Sequence, residues 1–177
     1  MSLDTINSDI LIDNFIDELW LEKGLSKNTL SAYRHDISSF SSWYQGNSLL
    51  KVDRVDLLDY LAQRLKEGYS SRSTARSLSS LRAFYSHLTT KYNLKQNPTS
   101  RVDSPKLGHS LPKTLSEEDV ERLIQAPDVE DDIGLRDRAM LELIYACGLR
   151  VTELISLDLL NINLRQGVIR VIGKGEK

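Results

Sequence analysis

Residues 70–92 read SSRSTARSLSSLRAFYSHLTTKY. Leu78, Leu81, Tyr85, Leu88 and Tyr92 recur at steps of three and four, the spacing that lines one side of an α-helix. At 3.6 residues per turn, Arg72, Arg76, Ser79 and Ser80 are predicted to face away from that stripe. No acid occurs between Ser70 and Thr90, so the polar side carries only small hydroxyls and arginines. Such a surface tolerates phosphate: Arg pairs bidentately with phosphate or a guanine edge, and Ser donates without obstructing entry into a groove. The same pattern also describes an ordinary solvated helix with small spacers. The aromatic stripe belongs to a packed core rather than a base-stacking platform, because it lies on the apolar side.

Working outward, three earlier segments share the helical period. Residues 7–23 place Ile12, Phe15, Ile16, Leu19 and Trp20 together and stop at Gly24. The next helix starts at Ser26, a residue suited to accept from the free amides of a first turn, and carries Leu30, Tyr33, Ile37, Phe40 and Tyr44. Its other side presents Lys27, Ser31, Arg34 and Ser38. A third helix, about 54–66, is predicted to bury Val55, Leu58, Leu61 and Leu65 before Gly68. Charge is segregated along these elements. Residues 1–25 hold six acids against Lys23, net −5, and residues 68–106 hold seven bases against Asp103, net +6. Ten acids against three arginines then give residues 115–142 a net −7, so the overall −2 conceals a basic stretch of the kind that meets nucleic acid.

Composition closes off other classes. With 40% apolar and 27% charged residues the chain is neither disordered nor membrane-embedded, and no apolar run approaches the ~18 residues of a span. The N-terminus is acidic where a secretory signal would be basic, which points to the cytoplasm. A single Cys147 forms no internal disulfide, and His35, His87 and His109 are scattered, so no metal is expected. From Leu94 to Pro112 the period lapses among Pro98, Pro105, Gly108 and Pro112, and residues 94–112 read as an exposed linker. The expected organisation is a helical domain over 1–93, that linker, and a second domain over 113–177.

The second domain opens with Ser116 before Glu117, Glu118 and Asp119, acids suited to the positive end of a helix. Residues 134–147, GLRDRAMLELIYAC, are apolar nearly all round after Arg138, which predicts a helix buried at a domain centre. A short helix over 151–156 follows. Ile162–Leu164 and Val168–Ile172 read as a strand pair around Arg165, Gln166 and Gly167, with an unpaired edge at which the sequence stops. Arg150, just past the helix-ending Gly148, and Lys174, between Gly173 and Gly175, suit phosphoryl transfer. Arg stabilises charge on nonbridging oxygens, and Lys supplies a proton or charge to a leaving oxygen. Each also has an ordinary explanation, an ion pair with Glu153 for Arg150 and a solvated turn for Lys174. A P-loop is a poor rival reading, since five residues separate Gly167 from Gly173 and Gly175 follows Lys174 where Ser or Thr is required.

The stretches ACGLRVTEL (146–154) and RQGVIRVIGKGEK (165–177) resemble the first arginine motif and the lysine hairpin of the tyrosine site-specific recombinases. DELWLEKGLSKNTLSAYRHD (17–36), SPKLGHSLPKTLSEEDVERLIQAP (104–127) and LRDRAMLELIYACGLR (135–150) extend the resemblance over essentially the whole chain, most closely to the bacterial members that resolve chromosome dimers at cell division. The resemblance implies a mainly α fold: a SAM-like four-helix DNA-binding domain, then the start of a mainly helical catalytic domain with a small antiparallel hairpin. It implies Arg150 as a catalytic arginine and Lys174 as general acid toward a departing 5′ oxygen. Lys27, Ser31, Arg34, Arg72, Arg76, Ser80 and Lys106 are the expected DNA contacts. The partners implied are a double-stranded recombination site and a related recombinase subunit in a heterotetramer, with no cofactor and no membrane insertion. In the family a tyrosine attacks the phosphodiester. The His-x-x-Arg motif and that tyrosine are not found here, and the seven tyrosines all precede Arg150, so the chain is expected to be an N-terminal piece that keeps DNA binding without a nucleophile. The competing reading is a non-enzymatic DNA-binding or synapsis module.

Overall fold

A computed structural model of the chain describes residues 7–45, 47–106, 108 and 114–171. The chain divides into two units, residues 1–110 and 111–177.

Unit 1 contains α1 (Ser8–Lys23), α2 (Lys27–Trp43), a 3-10 turn (Leu49–Lys51), α3 (Arg54–Lys66) and α4 (Ser71–Tyr92). Each helix starts where a short polar side chain accepts from its first free amides: Asn7 from Asp9, Ser26 from Thr29, Asp53 from Val55 and Asp56, and Ser70 from Ser73. Gly24 and Asn93 end α1 and α4 in the left-handed conformation. α4 is the hub. Leu78, Leu81, Phe84, Tyr85 and Leu88 are completely buried against α1, α2 and α3. Edge-on rings knit the centre together, Phe15 with Phe84 at 5.4 Å and Phe40 with Tyr60 at 5.0 Å. The buried Tyr85 hydroxyl donates to the Leu49 carbonyl at 3.2 Å, so the 3-10 turn is held from inside.

Three features differ from the expectation. Trp20 is 61% exposed, because the buried arc of α1 runs through Leu11, Ile12, Phe15, Ile16 and Leu19 and leaves Trp20 at its margin. In α3 the core side is Leu57, Tyr60, Leu61 and Arg64, while Val55, Leu58 and Leu65 are exposed. That helix is apolar around much of its circumference. The side chosen is the one where Tyr60 meets the rings of Phe40 and Trp43, and where Arg64 reaches the Tyr60 and Ser73 hydroxyls and lies 4.2 Å from the Tyr69 ring centre. Finally, the segment read as linker is in part packed. Pro98, Thr99 and Val102 are buried, Val102 belongs to the core, and Arg82 donates to the Val102 carbonyl and the Ser104 hydroxyl.

Unit 2 runs α5 (Glu117–Gln125), α6 (Asp132–Cys147), α7 (Val151–Ile155), a 3-10 turn (Leu159–Asn161), β1 (Ile162–Asn163) and β2 (Val168–Ile169). Ser116 and Asp119 cap α5 reciprocally, as the serine and early acids foretold. Gly134 lies so close to the preceding turn that an added Cβ would stand 1.9 Å from the Asp128 carbonyl oxygen. The strands pair antiparallel, Ile162 with Ile169 and Asn163 with Val168. They are shorter than predicted; the Asn163 side chain accepts from the Arg165 and Gln166 amides, turning the chain at once, and Ile172 lies outside the described residues. The expected burial of α6 is not seen. None of its described residues is buried: its main packing partners are α5 and α7, and they leave much of an all-round apolar helix uncovered.

Candidate nucleic-acid interface

α2 and α4 pack on each other, which brings the two predicted polar faces onto neighbouring helices. Lys27 and Ser31 are exposed on α2. Arg34 is exposed too, but it is ion-paired with Asp13 of α1, which discounts its charge toward an incoming anion. On α4, Arg72 and Arg76 are exposed; Arg72 has no ion pair among the described residues. Ser79 is exposed and donates to the Ala75 carbonyl at 3.0 Å, the internal bond that mid-helix serines commonly make. Lys106 is exposed beyond the unit 1 core.

Ser80 is a correction. Expected on the open side, it is buried, and its hydroxyl donates to Asp36 Oδ2 at 2.8 Å. The buried arc of α4 is wider than its apolar stripe, because Thr74, Ser77 and Ser80 are buried along with the leucines and aromatics. Asp36 was missed entirely. It is buried on α2, takes Arg76 Nη2 at 2.9 Å on Oδ1, and so joins α2 to α4. The one available signal was an acid directly before the core residue Ile37; its partners lie 40 and 44 positions away, beyond any local pattern.

In unit 2, Gly148 adopts φ +62° and ends α6, and the buried Leu149 and Leu154 pin the turn that presents Arg150 at the start of α7. Glu153 clasps this residue twice, accepting the Arg150 amide on Oε2 at 2.8 Å and Nη1 on Oε1 at 2.7 Å. The backbone bond first, then the guanidinium, hold the Glu153 carboxyl below the usual glutamate range. Arg150 is 68% exposed, and its Nε and Nη2 have no protein partner among the described residues. One edge is fixed by the carboxylate and the other is open to an anion. Lys174 lies outside the described residues. Tyr145, expected in a packed position, is 64% exposed on α6. Among the described residues no group of His, Cys, Asp and Glu could hold a metal ion, and no helix is long and apolar enough to cross a membrane.

The fold, with unit 1 built around α2 and α4 and unit 2 presenting an arginine after a helix-ending glycine, has counterparts among solved structures. The chain superposes on a lambda integrase from a tetramer bound to a Holliday junction with a TM-score of 0.78 at 17% identity, covering 98% of this chain and 49% of that one. It superposes on XerH recombinase bound to difH substrate at 0.64 and 20%, covering 97% and 52%. Residues 12–91 match the family model for the phage integrase N-terminal SAM-like domain, and residues 113–177 match that for the phage integrase family. The chain belongs to this family, the tyrosine recombinases. It is 58% identical over 169 residues to tyrosine recombinase XerD of Pseudomonas putida and 55% identical over 169 residues to that of Pseudomonas aeruginosa. Each alignment covers 94% of this chain and 57% of the relative, so the chain spans a little over half the length of these proteins.

Proposed function

We propose that this chain acts in XerD-like site-specific recombination, with unit 1 gripping a double-stranded recombination site and unit 2 contributing Arg150 and Lys174 at the scissile phosphate. The observation that carries the reading is the acid-free outer side of α4, on which Arg72 and Arg76 are both exposed. Phosphate contacts from such a face position the protein, and exposed arginines can also reach guanine edges in the major groove.

The strand exchange of this reading passes through a 3′-phosphotyrosyl intermediate. The phosphodiester takes on negative charge on its nonbridging oxygens as the nucleophile attacks. Arg150, anchored by Glu153 along one edge, supplies N–H donors to those oxygens, and Lys174 gives a proton to the departing 5′ oxygen. None of the seven tyrosines is assigned as the nucleophile, since none matches the family's tyrosine motif. The biological role that follows is resolution of chromosome dimers at cell division in the cytoplasm, alongside a XerC-like subunit in a heterotetramer.

The test is duplex binding by the chain at two salt concentrations. Replacing Arg72 and Arg76 together with alanine should weaken binding and reduce the slope of log K against log salt by up to about 1.8, the value for two phosphate contacts. Unchanged affinity and slope would remove this face from the interface. In the complete recombinase, Arg150→Ala should leave DNA binding near normal and suppress the covalent protein–DNA intermediate, because the lost interaction belongs to the transition state. Retained covalent complex would sink the catalytic assignment.

A further inference from the structure

Asp36 and Arg64 are the two buried charged residues among the described residues of unit 1, and they are handled differently. Arg64 is enclosed by hydroxyls and aromatic rings and belongs to the packing. Asp36 instead pairs with an arginine that reaches the surface. Its side chain is 2% exposed, whereas the arginine it holds is 55% exposed. The carboxylate is itself fixed, because Ser80, one helical turn beyond Arg76, donates to Oδ2 while Arg76 Nη2 donates to Oδ1. A buried carboxylate is tolerated only when its oxygens are satisfied, so this pair of donors accounts for its place between the helices.

We infer that Asp36 is the positioning residue of the DNA interface: it grips one nitrogen of the Arg76 guanidinium and leaves the rest of the fork set toward a DNA phosphate. The inference rests on the proposed DNA face and deepens it. Arg76 Nε and Nη1 have no protein partner among the described residues, so a carboxylate on one side and a phosphate on the other can be bound by the same planar group. A long side chain free in solution loses rotamer freedom on binding. One already held by a buried acceptor has lost part of that freedom in the fold. The opposing effect is electrostatic, since a carboxylate behind the guanidinium reduces its attraction for phosphate. The two effects predict opposite signs.

The experiment measures binding of a labelled DNA duplex to the full 177-residue chain at low and moderate salt, with thermal unfolding followed on each variant. Asp36→Ala should weaken binding about three- to tenfold, the range expected when one side chain must be ordered on binding. Asp36→Asn should restore most of it, because an amide still accepts from Arg76 and can donate to Ser80. In an Arg76→Ala background neither change should weaken binding further. Arg76→Lys should lose nearly as much as Arg76→Ala, since an ammonium offers no second planar edge. That variant leaves the core untouched and decides the matter if Asp36→Ala does not fold. Tighter binding by Asp36→Ala, an equal loss in the Arg76→Ala background, or wild-type binding by Arg76→Lys would each overturn the inference. Failure of the parent reading looks different: the unaltered chain would bind duplex without salt dependence, or Arg72→Ala would have no effect. Weakening by Arg72→Ala together with normal binding by every Asp36 and Arg76 variant leaves the DNA face standing and removes Asp36 from it.

Discussion

Unit 1 closes a core around α4, whereas unit 2 buries only Leu149 and Leu154 among its described apolar residues and exposes Leu159, Leu160 and Leu164, with Leu160 at 92%. The two regions therefore hold the arginines proposed to meet DNA by different physics. Arg76 rides on a helix locked by buried aromatic and aliphatic side chains and is anchored by an acid from a second helix. Arg150 is set by local devices: a left-handed glycine, two buried leucines and a glutamate three residues away. Burial of apolar surface is the larger source of stability, and hydrogen bonds of exposed groups contribute little net, so unit 1 should dominate the chain's cooperative unfolding.

The strongest challenge to that contrast is a matched pair of truncations. Phe84→Ala, at a fully buried position, should cost about 3 to 5 kcal/mol in denaturant unfolding, while Leu164→Ala should change stability by less than about 0.5 kcal/mol. Comparable losses at the two positions would show that unit 2 has a core of its own.

A smaller effect sharpens the account of unit 2. Gly148→Ala forces a Cβ into the left-handed region and should cost about 1 to 2 kcal/mol in unit 2, although there is open space around the position. The strain lies in the backbone, so amide exchange over residues 149–155 should accelerate while the amides of α4 stay protected. Unchanged exchange in α7 would mean that the turn does not depend on this conformation.

The smallest effect concerns pH. Burial alone would raise the Glu18 carboxyl, but hydrogen bonds from Lys91 and His87, with the attraction of both, outweigh it and hold Glu18 below the ordinary glutamate range. The unfolded chain therefore binds a proton more readily than the folded one. The resulting stability is fully present above the unfolded value, about 4.3, and is lost as pH falls through the lower folded value. Glu18→Gln should flatten the fall of the melting temperature below about pH 4.3, and an identical acid limb in both proteins would show that this link between α1 and α4 carries no pH dependence. Glu153 is depressed in the same direction, but it is held by its own neighbour on the surface, so its titration should report on α7 and not on unit 1.

What could be read from the linear chain was whatever depends on neighbours within a turn or two. The four helices of unit 1, the Ser26 cap of α2, the Gly24 stop and the turn before Arg150 follow from spacing and short-range hydrogen bonding, because a helix satisfies its backbone from residues four apart. Residue types also pointed to Arg72 and Arg76 as outward-facing, since charge is costly to bury without a partner. Choices between equally apolar sides belonged to the tertiary structure. α3 turned Leu57 and Tyr60 inward rather than Val55 and Leu58 because the rings of α2 were there to receive them, and Pro98, Thr99 and Val102 are buried where Arg82 of α4 donates to the Val102 carbonyl. Ser80 went inside for the same reason, to satisfy Asp36 across a helix interface. A carboxylate and two donors 40 and 44 residues away leave no periodic trace, and only the folded chain brings them within hydrogen-bond distance.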